Sequence, residues 1–203
     1  MRLFVAIELP ESVKDQLSRL QEGVPGARWA DPDQMHLTLR FVGEVDGPTR
    51  HELDHTLARV DRASFELELA GVGHFETGRI PRVLWAGVRK SPELEDLQGR
   101  VDRAVRAAGI GAEDRRFMPH VTLARLRDTP PARVSRFLAH NGLFASDPFP
   151  VEGFTLFSSV LGRGGASHRA ESEFVFSDVV DPDWHEDGAE HDGGLWRADD
   201  EGL

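Results

Sequence analysis

A chain of 203 residues is long enough for one sizeable core, or for two small lobes that share one. It contains no cysteine and no tyrosine, which excludes disulfides, Cys-ligated zinc, a cysteine nucleophile and a tyrosine acid, and fits a cytoplasmic protein. The formal charge is −11, of which −8 falls in residues 181–203, so the body of the chain is close to neutral and unsuited to coating long nucleic acids by charge alone.

The first element, Arg2 to Leu9, is rich in branched and aromatic residues and predicts a buried strand. Glu8 breaks its apolar run and no small-residue cleavage site follows, unlike a signal peptide. No run approaches the roughly 18 apolar residues of a membrane span. "PESVKDQLSRLQEGV" predicts a helix, with Val13, Leu17 and Leu20 at helical spacing. "ARWADPDQ" reads as a short strand and turn, and "MHLTLRFVGEV" as a strand. "GPTRHELDHTLARV" predicts a helix with Leu53, Leu57 and Val60 on its inner face. "FELELAGVGHF" and "RVLWAGV" predict paired strands. Ser91 caps an amphipathic helix that Gly109 ends.

The second half repeats the order. "HVTLARL" is a strand, "PPARVSRFLAHNG" a helix, and "FPVEGFTLFSSVL" with "SHRAESEFVFS" a strand pair joined by "GRGGA". Strand, helix, paired strands therefore occurs twice, which predicts an α+β protein of two similar lobes within residues 1–180. Residues 181–203, acidic, Gly-rich and without period, predict a disordered tail.

The chemistry is concentrated in an echo. His36-Leu37-Thr38-Leu39 returns 84 positions later as His120-Val121-Thr122-Leu123. Because side chains alternate along a strand, Leu37, Leu39 and Phe41 face one way and His36, Thr38 and Arg40 the other; His120 and Thr122 likewise share a face. If an approximate twofold axis relates the lobes, two imidazoles and two hydroxyls meet around one point. That set suits phosphodiester chemistry. Imidazole titrates near neutrality, so one ring can accept a proton while its twin donates one. The threonine hydroxyls can donate to non-bridging phosphoryl oxygens. A single strand histidine is more often structural, but a second His-x-Thr-Leu at the same place in a repeat reverses that reading.

These residues resemble the paired signatures of the 2H phosphoesterase superfamily. The nearest resemblance is to its RNA 2′,3′-cyclic phosphodiesterase branch, also called 2′-5′ RNA ligase. "RLFVAIELP", "RWADPDQMHLTLRFVGEV", "PRVLWAGV" and "RRFMPHVTLARL" match in order and spacing, from about Arg2 to Ser177. The resemblance implies a bilobal, pseudo-twofold fold: two antiparallel sheets flanking a cleft, with helices packed outside. It implies hydrolysis of 2′,3′-cyclic phosphates on RNA 3′ ends or nucleotides to 2′-phosphomonoesters, with no cofactor and no metal. His36 would be the proton donor, His120 the proton acceptor, and Thr38 and Thr122 would bind substrate. Symmetry leaves the two proton roles exchangeable. Run backwards, the same chemistry joins ends through a 2′-5′ linkage. A monomer without membrane attachment is expected.

Arg125 matches a family position that contacts phosphate, yet in a regular strand its parity opposes that of His120. It reaches the cleft only if the strand bulges or ends first. Arg40 has the right parity but lies about 13 Å along the strand from His36, where it would touch a neighbouring nucleotide. His168 stands where family members often carry an aromatic residue. Two readings of other classes compete: a module that binds nucleotides without turnover, and a zinc peptidase suggested by "HELDH" at 51–55. In the latter, His51 and His55 lie opposite the apolar face of their helix.

Overall fold

The computed structural model describes residues 2–113, 115–162 and 165–177. The elements run β1 (Arg2–Glu8), α1 (Glu11–Ser18), β2 (Ala27–Trp29), a 3-10 turn (Pro32–Gln34), β3 (His36–Glu44), α2 (Gly47–Leu57), β4 (Phe65–Leu67) and β5 (Leu69–Thr77). They continue with β6 (Ile80–Val88), α3 (Pro92–Ala107), β7 (His120–Leu126), α4 (Pro131–Asn141), β8 (Phe149–Val151), β9 (Gly153–Gly162) and β10 (Gly165–Val175).

Local sequence explains the boundaries. The Ser91 hydroxyl accepts the Leu94 N–H at 3.1 Å and starts α3. Gly109, at φ +84°, lets the chain turn away at its end. Asp46 accepts the Thr49 N–H at 2.9 Å and starts α2. The helical stripes Val13 and Leu17, Leu53 and Leu57, and Leu94, Leu97, Val101 and Val105 are all buried. The predicted tail from residue 181 lies outside the described residues.

The strands form one antiparallel path, β10-β9-β1-β3-β7-β6-β5, with β2 added on β7; β4 and β8 make a separate two-stranded sheet. The path has a seam. β3 and β7 share a single residue pair, Leu37 with Val121, whereas β1 and β3 pair over seven positions. Each side of the seam is therefore a small sheet of its own, but neither is one half of the chain. β9 and β10 of the second half join β1 and β3, and β5 and β6 of the first half join β7. The two lobes expected from the repeat thus exchange their strand pairs and meet at the motifs.

The motif strands are not regular. Val5 pairs with Arg40 and Ala6 with Thr38, so Leu39 is an extra residue in β3. Leu84 pairs with Ala124 and Trp85 with Thr122, so Leu123 is an extra residue in β7. The fourth residue of each His-x-Thr-Leu is thus the bulged one. A bulge inverts the alternation beyond it. Leu39 and Arg40 both point inward, at 2% and 5% exposure, while Phe41 emerges at 60%. Leu123 and Ala124 are both fully buried and Arg125 emerges.

The uniform alternation expected for β3 is therefore corrected. Arg40 leaves the histidine face and Phe41 joins it. Arg40 instead closes a buried network: its Nε donates to Asp102 at 2.8 Å, and its Nη1 to Glu113 at 3.1 Å and to the Phe41 carbonyl at 2.8 Å. A charge facing the core requires such compensation.

Candidate active site

β3 and β7 are antiparallel, and Leu37 with Val121 marks their crossing. One step to either side of that pair, an antiparallel register sets His36 toward Thr122 and Thr38 toward His120. Both motifs thus come to one place, on the face away from the core. His36, Thr38, His120 and Thr122 are each partly exposed there, whereas Leu37, Leu39, Val121 and Leu123 are buried behind them.

The imidazoles are held in the same way. His36 Nδ1 lies 2.8 Å from the Gln34 carbonyl and His120 Nδ1 2.7 Å from the Met118 carbonyl, in each case two residues upstream. Only an Nδ1–H can donate to a carbonyl, so each neutral ring presents its Nε2 lone pair to the open cleft. Phenylalanine braces both: Phe4 lies 4.8 Å from His36 and Phe75 4.8 Å from His120, centroid to centroid. The Trp85 indole, opposite Thr122, lies 6.4 Å from His120. It fits because its strand partner Gly73 has no side chain; a Cβ there would overlap the indole. Among the described residues neither threonine hydroxyl is engaged by another protein group, which leaves both free to donate to a ligand.

A third imidazole joins the site. The His168 ring meets that of His36 edge-on at 5.0 Å, and the His168 N–H donates to the Gln34 side chain at 2.8 Å. Gln34 therefore serves two histidines, one through its carbonyl and one through its amide oxygen. Sequence reading passed over Gln34 and Met118; their equal spacing from the two histidines was the available signal.

Burial pushes His36 down to about 4, assisted by His168 and, more weakly, His120, against the opposing pull of the Gln34 carbonyl. Burial also lowers His120, opposed by the Met118 carbonyl. His168 is lowered by burial and then by the positive charge of Arg125. The bulge at Leu123 turns Arg125 to the histidine face of β7, two β6 positions from Thr122. At neutral pH the free site therefore holds neutral imidazoles beside an arginine. A charge on His120 weakly disfavours a charge on His36, and burial disfavours the charged form of both rings.

The competing zinc pattern fares differently. His51 and His55 are exposed on α2, while Leu53 and Leu57 face the core. Among the described residues no group of three or more His, Asp or Glu could hold a metal ion. No helix among them is long and apolar enough to cross a membrane.

Comparison with known proteins agrees with this geometry. The family described as LigT like Phosphoesterase matches residues 7–85 and 87–167, one match in each half and each containing one histidine motif. The RNA 2′,3′-cyclic phosphodiesterase of Thermus thermophilus is 38% identical over 86% of this chain and 89% of its own length. The protein of that name from Thermotoga maritima is 32% identical over 87% and 96%. Among solved structures, E. coli LigT complexed with 3′-AMP superposes with a TM-score of 0.72 at 28% identity, covering 87% of this chain and 98% of that one. The chain belongs to the LigT-like phosphoesterase family.

Proposed function

We propose that this protein hydrolyses 2′,3′-cyclic phosphodiesters at RNA 3′ ends to 2′-phosphomonoesters. The observation that carries the reading is the single crossing of β3 and β7, which brings two His-x-Thr pairs with identically tethered rings to one open face. The names of its relatives support the same substrate.

In this reading His120 Nε2 takes a proton from water as the water oxygen bonds to phosphorus. The P–O3′ bond breaks, and His36 Nε2–H delivers its proton to the departing 3′ oxygen. Thr38 and Thr122 donate to the non-bridging oxygens, and Arg125 balances the growing negative charge. Once protonated, a ring held down to about 4 is a strong acid, which suits His36 to donation. The anionic phosphodiester supplies the field that brings that proton in. Exposed Phe41, in the position of β3 that Arg125 holds in β7, offers a face on which a base can stack.

The test is incubation, in EDTA, of the purified protein with an oligonucleotide ending in a 2′,3′-cyclic phosphate, the product isomer being read by phosphorus NMR. A 2′-phosphate is expected from wild type. His36→Ala and His120→Ala should each lose about 10²–10⁴ in rate. Tight binding with the substrate left intact would refute turnover and favour a binding module.

A further inference from the structure

β2 is only three residues long, yet its register is firmly fixed. The Ala30 N–H donates to the Leu123 carbonyl at 2.8 Å, and the Arg127 N–H donates to the Gly26 carbonyl at 3.1 Å. Gly26 sits at φ +78° so close to the Arg127 carbonyl that a Cβ would overlap it. The Thr129 hydroxyl adds a bond to the Pro25 carbonyl at 3.0 Å. With both ends pinned, Ala27, Arg28 and Trp29 pair with Leu126, Arg125 and Ala124. Trp29 turns to the core side, where it packs on Phe137 at 5.9 Å. Arg28 must therefore project on the other face, directly opposite Arg125.

Directly opposed residues of an antiparallel pair hold their Cβ atoms about 4.5–5.5 Å apart, and like charges placed so are destabilising. Both arginines are exposed, and among the described residues neither has a carboxylate in ion-pairing reach. The sheet thus sets two arginines directly opposite each other, at the end of the site that His168 borders. Arg125 is two β6 residues from the Thr122 level, since their partners are Val83 and Trp85, or about 6.6 Å along the sheet. Arg28 lies one strand across from it, on the edge of β7 that β3 also uses. Lobe one has no counterpart: among the described residues, β3 carries no added strand on that edge.

We propose that Arg28, acting beside Arg125, binds the phosphodiester on the 5′ side of the terminal nucleotide. The protein is thereby selective for the end of an RNA strand over a free 2′,3′-cyclic mononucleotide. This rests on the cyclic phosphodiesterase reading above. Arginine forks suit phosphate oxygens, and the 5′-phosphodiester is the charge nearest the reacting phosphate that a strand end has and a cyclic mononucleoside lacks.

The test compares a trinucleotide ending in a 2′,3′-cyclic phosphate with a nucleoside 2′,3′-cyclic phosphate, on wild type, Arg28→Ala and Arg28→Lys. Wild type should favour the trinucleotide. Arg28→Ala should cut that preference about tenfold, through KM rather than kcat, and Arg28→Lys should restore part of it. The salt dependence of trinucleotide kcat/KM should lose about 0.7 from its logarithmic slope, the value for one single-strand phosphate contact. An equal loss on both substrates, or no loss on either, would overturn the assignment. If wild type turns over neither substrate, the cyclic phosphodiesterase reading fails instead. Titration calorimetry of a trinucleotide ending in a 2′-phosphate against wild type and Arg28→Ala then decides Arg28 separately: equal affinities would overturn its role, and a tenfold gap would sustain it.

Discussion

Replacing His36 by glutamine removes the imidazole whose charge the fold most strongly resists. In an unfolded chain that ring titrates near 6.5; among Phe4, Phe157 and His168 it is held to about 4. Between those values the unfolded chain binds a proton that the folded protein does not, so stability falls as pH is lowered. The full difference is worth about 3 kcal/mol, at about 1.36 kcal/mol per pH unit. Most of it, about 2 kcal/mol, is lost between pH 7 and pH 4.5. Urea unfolding followed by tryptophan fluorescence at those two pH values measures it. Wild type should lose about 2 kcal/mol more than His36→Gln across the interval, the other groups being common to both proteins. Parallel losses would refute the reasoning, because they would mean that His36 ionises in the folded protein as freely as in water.

Three further outcomes are expected. Arg40→Met leaves Asp102 and Glu113 without their shared partner. Both carboxylates keep some access to water, so the cost should sit near the lower end for a broken buried pair, about 3 kcal/mol in urea unfolding. Phe41→Ala should raise KM about tenfold for a nucleoside 2′,3′-cyclic phosphate, within the about 1–3 kcal/mol of a stacked base. The same change should leave KM for a base-free five-membered cyclic phosphate diester almost unmoved. Gly73→Ala puts a methyl group into the Trp85 indole. It should cost about 1–3 kcal/mol in stability and shift the tryptophan emission.

Much of the site was legible before any tertiary structure. Two His-x-Thr-Leu strings in matching places of a repeated element order pointed to one paired centre, because a histidine and a hydroxyl two apart must share a strand face. Serine, aspartate and glycine at helix ends marked boundaries that the chain obeys, since capping is a local hydrogen-bonding matter. What failed was the side assigned to residues beyond the motif. Arg40 and Phe41 exchanged faces through an added residue, Leu39, and the bulge that Arg125 needed in order to turn to the histidine face is present at Leu123.

The sequence by itself determined the chemistry on offer, the repeated order of elements and the apolar rows behind each motif, all of which follow from short-range periodicity. The tertiary structure alone decided which residues flank the histidines. A bulge exists only relative to a partner strand, and β1 and β6 supply that register from far along the chain. The pairing of Arg28 with Arg125 is of the same kind. It depends on β2 being pinned at Gly26 and Ala30 to a strand nearly a hundred residues away, a contact that no local pattern encodes.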